Sequence, residues 1–342
     1  NLSTVQPEKV IARPDQYVGT SLYTGNGGTL SVTNLNFKPD LVWIKCRSHV
    51  DDHTLTDSVR GADRALYSNN ANQQNVSSIR LQSFNNDGFT TGSSGDTNTS
   101  GRTFCAWSWK AGGNKNTFNI DDVGYASAAA AGLDGGTLTL TDASVGTKQG
   151  FSIVGFTGPG STGTYSHGLS QKPDFMIFKD RDNNSSSWLI YHSALGATKY
   201  ISFTTAAAVT SSNPFNNTEP TSSVFTAGNW LDNSNTKYIG YIWHDVPGLQ
   251  KFGSYINSSS TDGAFVELGF KPAVLIYKCA VNISSSSGAG DWIIKDTTRS
   301  PINNPSDNNT LVLNVNNAED DYYTASQAAV DILSNGFKIR HP

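Results

Sequence analysis

Lys38-Pro39-Asp40-Leu41-Val42-Trp43-Ile44-Lys45 decides the fold, because the chain writes it three times. It returns as Lys172-Pro173-Asp174-Phe175-Met176-Ile177-Phe178-Lys179, and again as Lys271-Pro272-Ala273-Val274-Leu275-Ile276-Tyr277-Lys278. Each copy is a Lys-Pro corner, an apolar run and a closing Lys. Proline fixes φ and lacks a donor, so it belongs at a strand entrance and not at a strand centre. The apolar run behind it reads as a strand covered on both faces. Repetition on this scale outranks local signals because it sets the architecture. The residues that define the repeat are Lys38, Pro39, Trp43 and Lys45, then Lys172, Pro173 and Lys179, then Lys271, Pro272 and Lys278.

The totals agree with a strand-built chain. At 342 residues it suits two or three domains better than one core. Hydrophobic residues are 37%, charged residues 15%, and there are 32 Gly with abundant Ser, Thr and Asn. That is poor material for helices and good material for short strands joined by polar turns. A net charge of −4 and a pI near 5.8 argue against the basic stripe that nucleic acid requires. No run approaches the ~18 apolar residues of a membrane span. No leader is visible, so export cannot be argued, and a start at Asn1 leaves room for processing or preceding sequence. Cys46 and Cys279 hold the same place in two repeats, where they would not meet. The three cysteines read as buried or half-buried thiols without a disulfide framework.

Along the chain, residues 1–17 read as an N-terminal arm that docks on a neighbour or leads in from one. The first β-sandwich repeat spans 18–112. In it Ser21–Thr24 and Leu30–Thr33 flank Gly25-Asn26-Gly27-Gly28, the signature of a hairpin. Asp57 and Arg60 close a turn, Asn86-Asp87-Gly88 makes another, and Thr103 to Lys110 is an alternating closing strand. Residues 113–148 match neither neighbour and read as a linker or insertion, with Thr137 to Thr141 as an exposed strand. The second repeat, 149–248, opens on Phe151 to Thr157 and closes on Lys237 to His244. Thr103 follows Lys38 by 65 positions, and Lys237 follows Lys172 by the same 65. The third repeat, 249–342, opens on Phe252 to Ile256 and carries Asp296 and Arg299 where the first has Asp57 and Arg60. Its Ser334-Asn335-Gly336-Phe337 repeats the earlier turn. No counterpart of the closing strand follows before Pro342. Either residues beyond 342 or another segment or subunit would supply it, since an open edge is a liability. Ala325 to Leu333 is the one stretch with helical character.

Few residues carry a chemical signature. Gly158-Pro159-Gly160-Ser161-Thr162-Gly163 satisfies G-x-G-x-x-G, but no helix begins behind it, so a hairpin loop is the better reading than a phosphate cradle. His49 to His53 holds His and Asp in a loop, without the helix that would turn the two imidazoles one way. Asp180-Arg181-Asp182-Asn183-Asn184 starts like a calcium loop and lacks its later ligands. No nucleophile elbow or spaced carboxylate pair appears. The pattern names no catalytic residue, no metal ligand and no cofactor. Trp188, Trp230 and Trp292 are the aromatics that would stack on sugar rings if exposed, with burial at strand starts the competing role for Trp188 and Trp292.

Read together, the motifs resemble a family of repeat-built virion proteins from tailed phages of marine and aquatic bacteria, described as structural, tail-fibre or concanavalin-like. The resemblance rests on Leu22-Tyr23-Thr24-Gly25-Asn26-Gly27, the first Lys-Pro stretch, Asp57-Ser58-Val59-Arg60-Gly61 and Asp87-Gly88-Phe89. Further along it rests on Gly150 to Val154, Ser193 to Tyr200 and Lys251 to Tyr255. It covers residues 13–340 and implies a particle component without catalysis, present in many copies. The expectation is an all-β protein of three tandem jelly-roll-like β-sandwich modules, mostly antiparallel with very little helix. Its expected place is the virion surface, as tail fibre, tail-associated adhesin or capsid decoration. The expected partners are other phage virion proteins, further copies of itself with a trimer favoured, and host surface polysaccharide. A glycan depolymerase on the same scaffold and a bacterial cell-surface adhesin are the alternatives.

Overall fold

A computed structural model describes residues 10–204, 208, 213–258, 260–280, 290–301, 303, 309–321, 323 and 328–341. Each Lys-Pro corner opens a strand two residues after its buried proline, at Leu41, Phe175 and Val274. In chain order the strands are β1 (Val18–Thr24), β2 (Leu30–Val32), β3 (Leu41–Cys46), β4 (Thr54–Asp57), β5 (Arg64–Ala65), β6 (Asn75–Val76), β7 (Leu81–Asn85), β8 (Gly88–Thr91) and β9 (Thr103–Trp109). Then come β10 (Phe118–Ile120), β11 (Val123–Tyr125), β12 (Asp142–Gly146), β13 (Phe151–Thr157), β14 (Gly163–Ser166), β15 (Phe175–Asp180), β16 (Leu189–His192), β17 (Val224–Ala227) and β18 (Lys237–Trp243). The last are β19 (Phe265–Glu267), β20 (Val274–Tyr277), β21 (Ile293–Asp296), β22 (Leu311–Val312), β23 (Val330–Leu333) and β24 (Gly336–Ile339). Among the described residues, helix is confined to Pro14–Gln16 and Gly95–Asn98. The protein is all-β, and its ladders are antiparallel except that β10 runs parallel to β12.

The sheets face one another in pairs. Sheet β1-β9-β3-β4 packs on β2-β8-β7 around Val32, Val42, Ile44, Phe89, Phe104 and Ala106. Sheet β11-β10-β12-β13-β18-β15-β16 packs on β14-β17 around Val154, Phe156, Phe178, Phe225, Tyr238 and Ile242. Sheet β20-β21-β22 packs on β19-β24-β23 around Leu275, Tyr277, Ile293, Phe337 and Ile339. Alternation then turns the opposite side chains of all three Lys-Pro sheets toward one shared core. That core holds Trp43, Leu55 and Trp107 of the first, Ile177, Trp188, Phe203 and Tyr241 of the second, and Trp292 and Ile294 of the third. Phe203 lies at its middle, with ring centroids 5.9 Å from Trp43, 5.5 Å from Trp188 and 5.3 Å from Trp292.

Several local expectations give way to this arrangement. β1 pairs with β9 and β2 with β8, so Gly25 to Gly28 is a crossing between two sheets and not a hairpin. The Gly158 to Gly163 loop crosses from β13 to β14 in the same manner. The two crossings bond alike: Gly25 and Gly27 donate to the carbonyls of Arg102 and Asn98, and Gly158 and Gly160 to those of Thr236 and Asp232. Each acceptor lies at the same distance before its closing strand. Residues 113–148 supply β10, β11 and β12 to the large sheet, while Thr137 to Thr141 runs as irregular chain. There Leu138 donates to Thr164 and Thr141 to Gly155. Of the helical stretch, residues 325–327 lie outside the described residues and Val330–Leu333 is a strand, tied to β24 by the Ser334-Asn335 turn. Of the arm, the described residues 10–17 dock within the chain, Ile11 donating to the Pro247 carbonyl at 3.0 Å. Phe252 to Ile256 forms no strand. In the first sheet pair the opening strand β1 pairs with the closing strand β9 alone, and no equivalent closing strand follows β24 among the described residues.

Candidate functional site

The buried ionisable groups join the sheet pairs to one another. Asp57 Oδ1 caps the turn by accepting the N–H groups of Val59 and Arg60, and Oδ2 takes the Arg60 Nε at 2.5 Å with both side chains fully buried. Arg60 Nη2 reaches the Leu55 carbonyl and the Tyr241 hydroxyl, which donates to Asp57 Oδ2 at 2.7 Å. Asp296 and Arg299 repeat every part of this clasp, down to the Ile294 carbonyl, and Trp107 Nε1 donates to Asp296 Oδ2 at 3.0 Å. Trp107 and Tyr241 are the fifth residues of β9 and β18. Each closing strand therefore contacts the clasp of a neighbouring sheet pair. Burial alone would lower the Arg60 pKa, and Asp57 with Tyr241 more than offsets it, so the guanidinium is held charged.

Two further contacts recur at matching positions around the shared core. The carbonyl two residues past each closing Lys accepts an N–H from the next pair: Arg47 from Glu319 at 2.8 Å, Arg181 from Gln74 at 2.9 Å, Ala280 from Ala208 at 3.0 Å. The residue just ahead of β4, β16 and β21 donates from its ring. His53 Nε2 bonds the Val312 carbonyl, Trp188 Nε1 that of Tyr67, and Trp292 Nε1 that of Ser202. Because Trp43 Nε1 donates to His53 Nδ1, His53 must be the neutral Nε2–H tautomer, and burial holds its pKa well below the ordinary value. Lys45 is buried with Nζ on the carbonyls of Cys46, His49 and Asn316, and Lys179 on those of Asp180 and Ala71. Burial pulls both lysines down to about 8. Asp180 is spent on its own loop, accepting from Asp182, Asn183 and Ser186.

Of the three tryptophans singled out by sequence, Trp188 and Trp292 are buried at 0% and 4% exposure, and neither face is open to a sugar. Their N–H groups are consumed in joining sheet pairs. Trp230 is different. It is 42% exposed and sits at φ +78°, a left-handed conformation that bulky side chains rarely adopt. Its carbonyl accepts the Tyr238 hydroxyl at 2.8 Å, and the Tyr200 ring meets it edge-on at 5.8 Å. The ring borders a hollow of about 230 Å³ whose other walls include Ser185, Ser186, Ser187, Asn233 and Tyr238. Strained backbone held by surrounding contacts concentrates at ligand sites. A second, open cleft of about 640 Å³ lies by the first Lys-Pro corner, lined by Tyr17, Asn36, Lys38, Lys110, Asn114 and Lys115 among others. Lys110 is paired there with Asp122, and Lys38 donates to Asn114.

The sequence singles out Trp230 but not the residues around it. The Ser run at 185–187 was visible, whereas Asn233 lies in the turn before β18 and carries no local mark, and Tyr238 is the second residue of that strand. The roles of Trp107 and Tyr241 were recoverable from the 65-residue spacing, which aligns them. A family described as a domain of unknown function (DUF7483) matches residues 13–342. No curated protein and no solved structure matches the chain. Among the described residues, no helix is long and apolar enough to cross a membrane.

Proposed function

The chain belongs to the DUF7483 family, and from that premise we propose a non-catalytic building and binding protein of a bacteriophage particle surface that holds host carbohydrate at Trp230. The observation that carries the binding role is the exposed Trp230 ring fixed beside a hollow walled by hydroxyl and amide groups together with Asp180 and Leu189. Sugars present apolar C–H faces ringed by hydroxyls. A tryptophan face takes the first and Ser or Asn side chains take the second. The hollow is smaller than the ~300–1,000 Å³ of sites that enclose drug-sized ligands. It therefore suits one ring of a polysaccharide and not a whole oligosaccharide. The particle-surface setting is supported by the motif resemblance, and the building role by the cross-links between sheet pairs. Asp57, Arg60, Asp296, His53, Trp107, Trp188 and Trp292 are bonded into those cross-links.

The test is to incubate the protein with capsule or lipopolysaccharide from candidate hosts and follow both retention and release. Retention of intact polysaccharide with no liberated oligosaccharide is the expected result. Release of oligosaccharides would replace this reading with a depolymerase, and the absence of retention on every carbohydrate tried would remove the binding role.

A further inference from the structure

The open cleft beside the first Lys-Pro corner carries charge that the fold does not account for. Among the residues that line it, Lys38, Lys110 and Lys115 face the single carboxylate of Asp122, on a chain whose formal net charge is −4. At the second corner Lys172 is neutralised by Glu219 at 2.8 Å. At the first, Lys38 donates instead to the neutral Asn114 Oδ1 at 2.8 Å, and Asn114 keeps its amide hydrogens as donors. The loop that presents these groups is held in place by its own bonds. Buried Asp40 accepts the N–H groups of Ala111 and Gly113, and Asn119 Oδ1 accepts those of Lys115 and Asn116. Gly113 sits at φ +87°, and a Cβ there would lie 2.9 Å from Asp122 Oδ1, so the glycine lets that carboxylate reach Lys110. Tyr17 is fixed to the same strand end, its carbonyl accepting the Lys110 N–H at 2.8 Å.

We propose that this cleft binds an acidic saccharide, with Lys38 and Lys115 holding a carboxylate or sulfate ester on the sugar ring. Its volume of about 640 Å³ falls within the ~300–1,000 Å³ of ligand sites. Lysine ammonium groups act as point charges, which suit an anion of either shape. The amides of Gln16, Asn86 and Asn114 match sugar hydroxyls, and Tyr17 offers an apolar ring with a hydroxyl at its tip. An extended polyanion such as nucleic acid fits less well, because it needs a basic stripe and this chain is acidic overall. The cleft shares no residue with the Trp230 hollow, and the inference does not rest on binding there.

The test is isothermal titration calorimetry of the full chain with two matched pairs of oligosaccharides. One pair is polygalacturonate and its methyl ester, the other dextran sulfate and plain dextran. At least one acidic member should bind about tenfold or more tightly than its uncharged counterpart. A margin for polygalacturonate assigns the carboxylate, and one for dextran sulfate the sulfate ester. Combining Lys38→Gln with Lys115→Gln, at half-exposed and exposed side chains, should erase the margin with the thermal midpoint unchanged. Trp230→Ala should keep it. No margin in either pair, or a margin that survives the double lysine variant, would overturn the proposal. So would loss of the margin in Trp230→Ala, which would move acid recognition to the other hollow. Equally tight binding of a single-stranded oligonucleotide of the same charge would overturn it too, by showing a surface for polyanions of any kind.

Discussion

Replacing Tyr241 by Phe separates the cross-link between the first two sheet pairs from the packing around it. The ring stays in the shared core, and only the hydroxyl is lost from Asp57 Oδ2 and Arg60 Nη2. A hydrogen bond to a charged group contributes ~1.5–3 kcal/mol, so the variant should lose about 2 kcal/mol. Arg60 already has one guanidinium nitrogen without a partner, which limits its capacity to rebond. Asp57→Asn should cost more, ~3–5 kcal/mol, because it leaves a fully buried guanidinium without its counter-charge. Combining Asp57→Leu with Arg60→Met should recover most of that loss, since a matched apolar replacement of a buried pair is often nearly neutral. Urea unfolding at neutral pH measures all three. Costs below about 0.5 kcal/mol for both single variants, or a double variant no more stable than Asp57→Asn, would refute the claim that this clasp holds the sheets together.

Other outcomes follow from the same contacts. Because the folded His53 pKa is depressed, the unfolded chain takes up its proton first as pH falls through about 6.5, so stability should drop there. Asp142, raised to about 6 by burial, acts with the opposite sign, so the effect is read as the difference between wild type and His53→Gln, and the variant should lose less stability than wild type as pH falls below about 6.5. Lys45 titrates near 8 when folded against 10.5 as a free side chain, so its contribution should make stability rise with pH from about 8 upward, and Lys45→Met should lose that slope in pH-dependent melts. Gly88 and Gly336 fill the same turn, and a Cβ at either would press on the Val32 or Val266 carbonyl oxygen. Either Gly→Ala change should cost ~2 kcal/mol or more by urea unfolding, with Gly88 the worse for its φ of +155°.

The Lys-Pro strands, the closing strands and the Asp/Arg turns were legible because each is encoded within about eight residues and repeated. The hairpin misreading shows where that fails. Asn26-Gly27 does turn the chain, and Gly27 has the positive φ expected of it, but local sequence does not say which sheet the next strand joins. Likewise β10, β11 and β12 are short, and β10 joins the sheet only through β12, across an intervening loop, so nothing near Phe118 announced a sheet. The shared core was not foreseen either. Its signature is that both faces of each Lys-Pro strand are apolar, which reads equally as a strand buried in a single sandwich. Trp188 and Trp292 look like candidate sugar platforms in the sequence for this reason: a ring ahead of a strand, after a polar loop, is the same string whether it faces solvent or a neighbouring sheet pair.

Trp230→Ala assayed beside wild type for binding to immobilised host polysaccharide bears most directly on the proposed role. The ring is exposed and its backbone bond from Tyr238 does not depend on the side chain. Loss of about 1–3 kcal/mol of stacking would weaken retention roughly fivefold or more with the thermal midpoint little changed. Equal retention by both proteins would contradict the account.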